Sequence, residues 1–341
     1  MKKVLIGLLA MVLVFAFAAC DTQEKPAEQS PVATEAAPSQ AAAPAEIRIG
    51  CIPADSDIEF FQKLAKGMED AGKDLGITVD IQYTGRSVEE ELRLTELFIS
   101  QGYDGIVLES VDSAAMLGCV QKAKAAGLAF VAADTVPDDT TMCDSTVASD
   151  NYAGGVEAGK LMKKLLPNGG DVLMVKFQSS SISTDERYQG FEDEIKDSNI
   201  RVIDSVATDG SRDDALAKIT PMLSQYPDLD GIFCCQGDPA IGALTAVETA
   251  GMQDTVKILA YDIEGEVAAA IAGGKALCGG VTQFPYEMGY LSVVNCYKAI
   301  MGEKVEQVVK MPVLQVSADQ MEEFTADTTA YLAKYGNFTV K

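Results

Sequence analysis

The chain has 341 residues, 51 acidic against 27 basic side chains, a formal charge of −24 and no His. Such a charge repels nucleic acid and anionic lipid surfaces, which disfavours both as partners. Without His there is no Ser-His-Asp triad, no Cys-His pair and no His-ligated zinc site.

In chain order, Lys2 and Lys3 precede an apolar run over 4–17, and Ala18-Ala19 lead into Cys20. A charged start, a short apolar stretch and small residues at a cut make a secretory signal over 1–19, and the run is short for a mature membrane span. The placement of Cys20 resembles a bacterial lipoprotein signal, in which that Cys is lipidated and becomes the new N-terminus. Phe17 departs from the Leu usual in such signals; the alternative is an ordinary signal peptide with a coincidental Cys. Residues 20–45 are dominated by Ala, Pro, Glu, Gln, Ser and Thr, with no aromatic residue, so they bury too little apolar surface to offset chain entropy. They read as a disordered tether of about 25 residues with a mean reach of roughly 25–30 Å. The expected location is outside the cytoplasm, lipid-anchored to the outer face of the cytoplasmic membrane through Cys20 alone. Seven of the eight Cys remain after Cys20, an odd number without C-x-x-C spacing, and they read as buried free thiols.

From residue 46 onwards, short apolar runs at 47–52, 78–83, 105–108, 129–132, 171–176, 201–207, 231–235, 258–261 and 278–282 predict strands. Helical patterns at 59–75, 88–101, 114–126, 152–166, 185–196, 212–225, 239–250 and 285–301 lie between them. Steps of roughly 30 residues between near-continuous apolar strands are the βαβ signature of parallel sheets covered on both faces. The chain also repeats itself. Ser100-Gln101, Asp104-Gly105-Ile106-Val107 and Ala126-Gly127 recur as Ser224-Gln225, Asp230-Gly231-Ile232-Phe233 and Ala250-Gly251. The expected fold class is α/β, with two similar doubly wound lobes joined by a three-strand hinge. The first lobe takes 46–149 plus 284–311, and the second 150–283 plus 312–341. Crossings are expected near 149–151, 282–284 and 310–313, and ligands bind such sheets at the carboxyl ends of the strands.

Several stretches then carry a family resemblance. They are Glu59-Phe60-Phe61, Asp134, Ala148-Ser149-Asp150-Asn151 with Gly154-Gly155, Arg187-Tyr188-Gln189-Gly190-Phe191, the segment from Asp238 to Gly251, Asp262, and Gln283-Phe284-Pro285. In this order and spacing the chain, from about 47 to about 315, resembles the type I periplasmic sugar-binding proteins, the ribose- and galactose-binding group that feeds ABC transporters. The resemblance implies a monomeric binder with no cofactor, whose closed form docks on an ABC permease. It also implies ligand contacts at Phe60, Asp134 and Asp262, then Asn151, Arg187, Asp238 and Gln283. Phe60 is expected as an aromatic plate for a sugar face and Phe61 as a core residue. Capping roles for the two Asp, a pure hinge role for Gln283 and pairing of Arg187 within its own helix stay open.

Departures bear on the ligand. The family commonly has Arg where Thr135 stands, ribose-type members carry a further Arg at Asp185, and Asn at Gly237 and an aromatic residue near Gly210 are also usual. Two guanidinium forks are thus missing, which puts ribose in doubt. The rim offers Asp55, Asp57, Asp134, Asp185, Asp238 and Asp262, with Arg86 and Arg187 as counter-charges. A sugar or polyol is the favoured ligand, and a cationic or amino-bearing molecule the alternative. A sensory ligand-presenting role is a rival to the permease, and a glycosidase-like enzyme is more distant. A calcium loop at 55–66 fails because Phe60 replaces the required Gly and Lys66 stands at the twelfth place.

Overall fold

The computed structural model describes residues 46–178 and 181–340; the signal over 1–19, Cys20 and the tether lie outside the described residues. Two six-stranded sheets organise the chain. The first contains β1 (Arg48–Ile52), β2 (Thr78–Ile81), β3 (Gly105–Leu108), β4 (Ala129–Ala133), β5 (Ser145–Ser149) and β11 (Val308–Met311), in the order β11-β5-β4-β3-β1-β2. All its pairings are parallel, for example Ile49 opposite Gly105 and Val131 opposite Ser145. The second contains β6 (Gly170–Phe177), β7 (Ile200–Thr208), β8 (Gly231–Cys234), β9 (Lys257–Tyr261), β10 (Leu277–Thr282) and β12 (Leu314–Ser317), in the order β12-β10-β9-β8-β6-β7. Here only the edge strand β12 runs antiparallel, against β10. The central strands β3, β4 and β8 are buried along their whole length, which is why they read as unbroken apolar runs.

The connecting helices are α1 (Glu59–Leu75), α2 (Val88–Ser100), α3 (Met116–Ala125), α4 (Asn151–Leu165), α5 (Ile182–Ile195), α6 (Arg212–Gln225), α7 (Gly237–Thr249), α8 (Gly265–Ala272) and α9 (Pro285–Ile300). The main helix pair of each lobe is α1 with α9 in the first and α4 with α5 in the second, and glycines let both pairs approach closely. A Cβ on Gly67 would strike the Tyr286 carbonyl oxygen, and one on Gly289 the Leu64 carbonyl. In the second lobe, Gly155 faces the Arg187 carbonyl and Gly190 the Tyr152 carbonyl in the same reciprocal way.

The internal repeat has a structural cause. Asp104 precedes β3 and accepts a hydrogen bond from the Arg48 amide of neighbouring β1, at 2.8 Å. Asp230 precedes β8 and accepts one from the Asp171 amide of neighbouring β6, also at 2.8 Å. Each Asp therefore ties the start of one central strand to the next.

Three strands and three helices of the described residues were not among the runs read from sequence. Strand β5 is rich in Ser and Thr, yet Ser145 and Thr146 are fully buried. Ser145 donates to the Glu306 carbonyl at 2.7 Å and accepts from Asn295 at 3.0 Å, so tertiary partners satisfy a strand that looks polar in isolation. The others are β11, β12, α8 and the two short helices near the C-terminus, α10 (Met321–Ala326) and α11 (Thr328–Tyr331). All seven described Cys are free, and all but the half-buried Cys278 are buried. The chain passes between the sheets after β5, after β10 and between β11 and β12.

Candidate functional site

A cavity of about 300 Å³ lies between the carboxyl ends of the two sheets. The first lobe lines it with the stretch from Asp57 to Phe61, Arg86, Glu109, Ser110, Val111, Asp134 and Thr135. From the second come Phe177, Ser183, Thr184, Arg187, Arg212, Gln236, Asp238, Asp262, Glu264 and Gln283, among others. Most of the polar groups sit just past a strand end: Glu109 after β3, Asp134 after β4, Gln236 after β8, Asp262 after β9 and Gln283 after β10.

Asp134 and Asp262 are structural counterparts. Each takes a left-handed backbone conformation, φ 63° and 69°, which short polar side chains tolerate better than most. Their amides donate to the next strand of their own sheet, Asp134 to the Val147 carbonyl at 2.8 Å and Asp262 to the Val281 carbonyl at 2.9 Å. The kink turns each carboxylate out of the sheet and into the cavity. Neither side chain caps a helix. Gln283 donates to Asp262 Oδ1 at 2.7 Å. Asp134 Oδ1 and Gln283 Oε1 are shielded from solvent and have no hydrogen-bond partner.

Arg187 is the buried cation among these acids. Its Nε donates to Asn151 Oδ1 at 2.8 Å and its Nη1 to the Cys235 carbonyl at 2.9 Å, while its guanidinium lies 3.8 Å from the centroid of the Tyr261 ring. These partners lie on α4, after β8 and on β9, so the reading in which Arg187 pairs within its own helix is replaced by a clamp across three elements. Asn151 does not line the cavity; it is fully buried, also donates to the Ser149 carbonyl at 3.2 Å, and orients Arg187.

Other expected residues are placed as follows. Phe60 and Phe61 both line the cavity as an edge-to-face pair with centroids 5.2 Å apart. Phe60 is the more buried of the two at 7% exposure, and Phe61, expected as a core residue, is half-buried and reaches the cavity as well. Asp57 lines the mouth, whereas Asp55 accepts the Asp57 amide and stays outside the lining. Asp238, in the first turn of α7, lies 3.5 Å from Arg212, which also pairs with Glu266 at 2.8 Å. Asp185 is exposed and outside the cavity. Helix α5 turns Ser183, Thr184 and Arg187 inwards, and the helical period then carries position 185 to the outside.

Sequence reasoning missed Glu109, Phe177, Gln236 and Glu264. Glu109 is 2% exposed, accepts from the Ala54 amide at 3.0 Å and from Thr135 Oγ1 at 3.4 Å, and follows its strand as Asp134 and Asp262 follow theirs. That shared position past a strand end was the available signal. Around Gly210 the space is taken by Phe177, Gln236 and Arg86, which explains the missing aromatic residue there.

Burial governs the electrostatics of the site. It raises the pKa of Asp134 to about 6, with Arg187 pulling it down and Asp262 adding to the rise. It raises Glu109 well above the ordinary carboxylate range, reinforced by Asp134, and raises Asp262 against the pull of Arg187 and Gln283. Across the cleft, Lys63 of α1 contacts Glu59 at 2.9 Å and Glu264 of the second lobe at 3.1 Å. Burial pushes Glu264 up to about 7; on Lys63 it is outweighed by the attraction of the two carboxylates, so that pKa rises too. The pair is therefore charged on the lysine side throughout and on the glutamate side mainly above neutrality.

Comparison with known proteins agrees with this architecture. The periplasmic binding protein domain matches residues 49–304. The chain is 27% identical over 277 residues to the ribose import binding protein RbsB of Bacillus subtilis (strain 168), covering 81% of this chain and 89% of that one. It is likewise 27% identical over 263 residues to the D-allose-binding periplasmic protein of Escherichia coli (strain K12), covering 74% and 84%. An ABC transporter solute binding protein from Bacillus halodurans C-125 with bound myo-inositol shares the fold, with a TM-score of 0.78 at 21% identity over 84% of this chain and 99% of that one. The chain belongs to the periplasmic binding protein domain family, whose members are extracytoplasmic solute-binding proteins rather than enzymes.

Proposed function

We propose that the chain is a lipid-anchored solute-binding protein that captures a sugar or polyol in the interlobe cavity and delivers it to an ABC permease. The observation that carries this reading is the pair of buried acceptors without partners, Asp134 Oδ1 and Gln283 Oε1, facing a cavity that Phe60 and Phe61 also line. Leaving such atoms unpaired is costly, and a ligand with several hydroxyl donors and an apolar C–H face satisfies both kinds of wall. The named sugars of the ribose and allose relatives support the same class. In this reading the lobes comprise 46–149 with 284–311 and 150–283 with 312–341, and they close as a monomer about the three crossings. Ligand contacts fall to Phe60, Phe61, Asp57, Asp134, Arg187, Asp238, Asp262 and Gln283, with Asn151 behind Arg187. Lipidation of Cys20 keeps the binder within reach of its permease.

Titration calorimetry against a panel of sugars, polyols, nucleosides and amines is the test. Saturable heat with a sugar or polyol is expected, weakened by Asp134→Ala or Asp262→Ala; no heat from any member of the panel overturns the proposal.

A further inference from the structure

The inner end of the cavity holds more acid than base. Glu109, Asp134 and Asp262 all line it, and Arg187 is the guanidinium buried with them. Arg212 is committed to Asp238 and Glu266, Lys63 pairs with Glu59 and Glu264, and Arg86, which also lines the cavity, lies against Gly210 of the second lobe. Where the related sugar binders commonly place an Arg, this chain has Thr135, 6% exposed, with its hydroxyl turned to Glu109. One expected cation is therefore absent and an additional carboxyl stands beside the position.

The unpartnered atoms point the same way. Asp134 Oδ1, Gln283 Oε1 and Gln236 Oε1 are all acceptors on the cavity wall, and Gln283 is 5% exposed. Such a wall calls for donors. A neutral hydroxyl brings one donor together with lone pairs that need donors in turn, whereas an ammonium brings three donors and no acceptor. An anionic ligand is disfavoured by the same acids.

We infer that the cavity takes a polyhydroxylated ligand bearing an ammonium group, such as an amino sugar or aminocyclitol, with the cation seated against Asp134 and Glu109. This rests on the sugar or polyol reading above and narrows it. Burial holds both carboxyls towards their neutral acids, and a bound cation restores the carboxylates by pairing with them in a desolvated site.

The test is calorimetry at pH 7.5 with matched pairs: D-glucosamine with D-glucose, D-glucamine with D-glucitol, and scyllo-inosamine with scyllo-inositol. In at least one pair the amine is expected to bind roughly tenfold or more tightly than its hydroxyl counterpart, in keeping with close charge pairs at desolvated interfaces. Glu109→Gln should remove most of that preference, read as the ratio of the two affinities within each pair, since the amide keeps the shape and loses the charge. The wild-type comparison stands by itself if that variant misfolds. Neutral members that equal or exceed their amines in every pair overturn this inference and leave polyol binding intact. Absence of binding by either member of every pair overturns this inference, and the sugar and polyol panel then decides the broader reading separately.

Discussion

Removing the Arg187 guanidinium is the most informative single change, because its hydrogen-bond and ring partners all belong to one lobe. In Arg187→Met the Asn151 Oδ1 atom and the Cys235 carbonyl lose charged donors at 2.8 and 2.9 Å, and the contact with the Tyr261 ring is lost. Hydrogen bonds from charged donors contribute about 1.5–3 kcal/mol each, and a desolvated cation–π contact about 2. These do not add, because the desolvation of a group 4% exposed is recovered when it is removed. Breaking a buried charge network by deleting one partner costs about 3–5 kcal/mol net, and that is the expected loss of stability. Arg187→Lys, which reaches only one of the two acceptors, should lose roughly 1–3 kcal/mol. The chain has no Trp, so urea unfolding followed by far-ultraviolet circular dichroism is the assay. The pH dependence is signed. The pKa of Asp134 is raised to about 6 and that of Asp262 is raised as well, so the folded state holds protons that the unfolded chain has lost, and stability falls as pH rises through that window. Arg187 opposes both shifts, so its removal should cost more at pH 8 than at pH 5, where Asp134 is largely neutral. A loss below about 1 kcal/mol, within the ordinary range for a point mutation, refutes the clamp. A loss independent of pH refutes its electrostatic role.

Glu91→Ala should destabilise by about 2–4 kcal/mol in the same assay, because Glu91 is fully buried and holds the Ser110 hydroxyl at 2.7 Å and the Val111 amide at 3.1 Å. Both of those residues line the cavity, so ligand affinity should fall too; a change within 0.5 kcal/mol, as for an ordinary surface site, contradicts this. Gly155→Ala forces a methyl into the Arg187 carbonyl and should cost about 1–3 kcal/mol, read as a lowered melting temperature; an unchanged value means that α4 and α5 separate freely. Lys63→Met removes the ion pair that crosses the cleft, and since partly exposed pairs contribute up to about 1 kcal/mol, affinity for the ligand found by calorimetry should weaken two- to fivefold. That loss should be greater at pH 8 than at pH 5.5, because Glu264 ionises near 7; a pH-independent ratio rejects the latch.

The α/β class and the two lobes were legible because central parallel strands are apolar along their whole length, as in β3, β4 and β8. Strand β5 was not, since its buried Ser145 depends on Asn295 and Glu306, which lie far away in sequence. At the site, Asp134 and Asp262 were legible as first residues past a strand. Glu109 occupies the same kind of position but lies outside the stretches that carry the family resemblance, so a comparison of motifs passes over it. The phase of α5 was illegible at Asp185 because it is set by how Gly190 seats the helix on α4, a contact that periodicity alone does not reveal.

The two lobes share their framework and differ in charge, and that difference explains the site. Asp104 with Asp230, and Asp134 with Asp262, occupy matching positions with matching backbone bonds, so duplication of one unit accounts for both rims. Onto its rim the second lobe adds Arg187, clamped by Asn151 and the Cys235 carbonyl, beside Asp262. The first lobe adds Glu109 beside Asp134, with Thr135 as its hydrogen-bond donor. The second-lobe acid thus stands beside a clamped guanidinium, whereas Glu109 and Asp134 have no ion pair of their own among the described residues and the first lobe's lining cation, Arg86, lies against Gly210 of the second lobe. Burial places Glu109 and Asp134 in a low dielectric, where unpaired charge is unfavourable, and raises both pKa values. A ligand with suitable donors would relieve that penalty where both rims enclose it, which is the coupling of occupancy to closure that the proposed function requires.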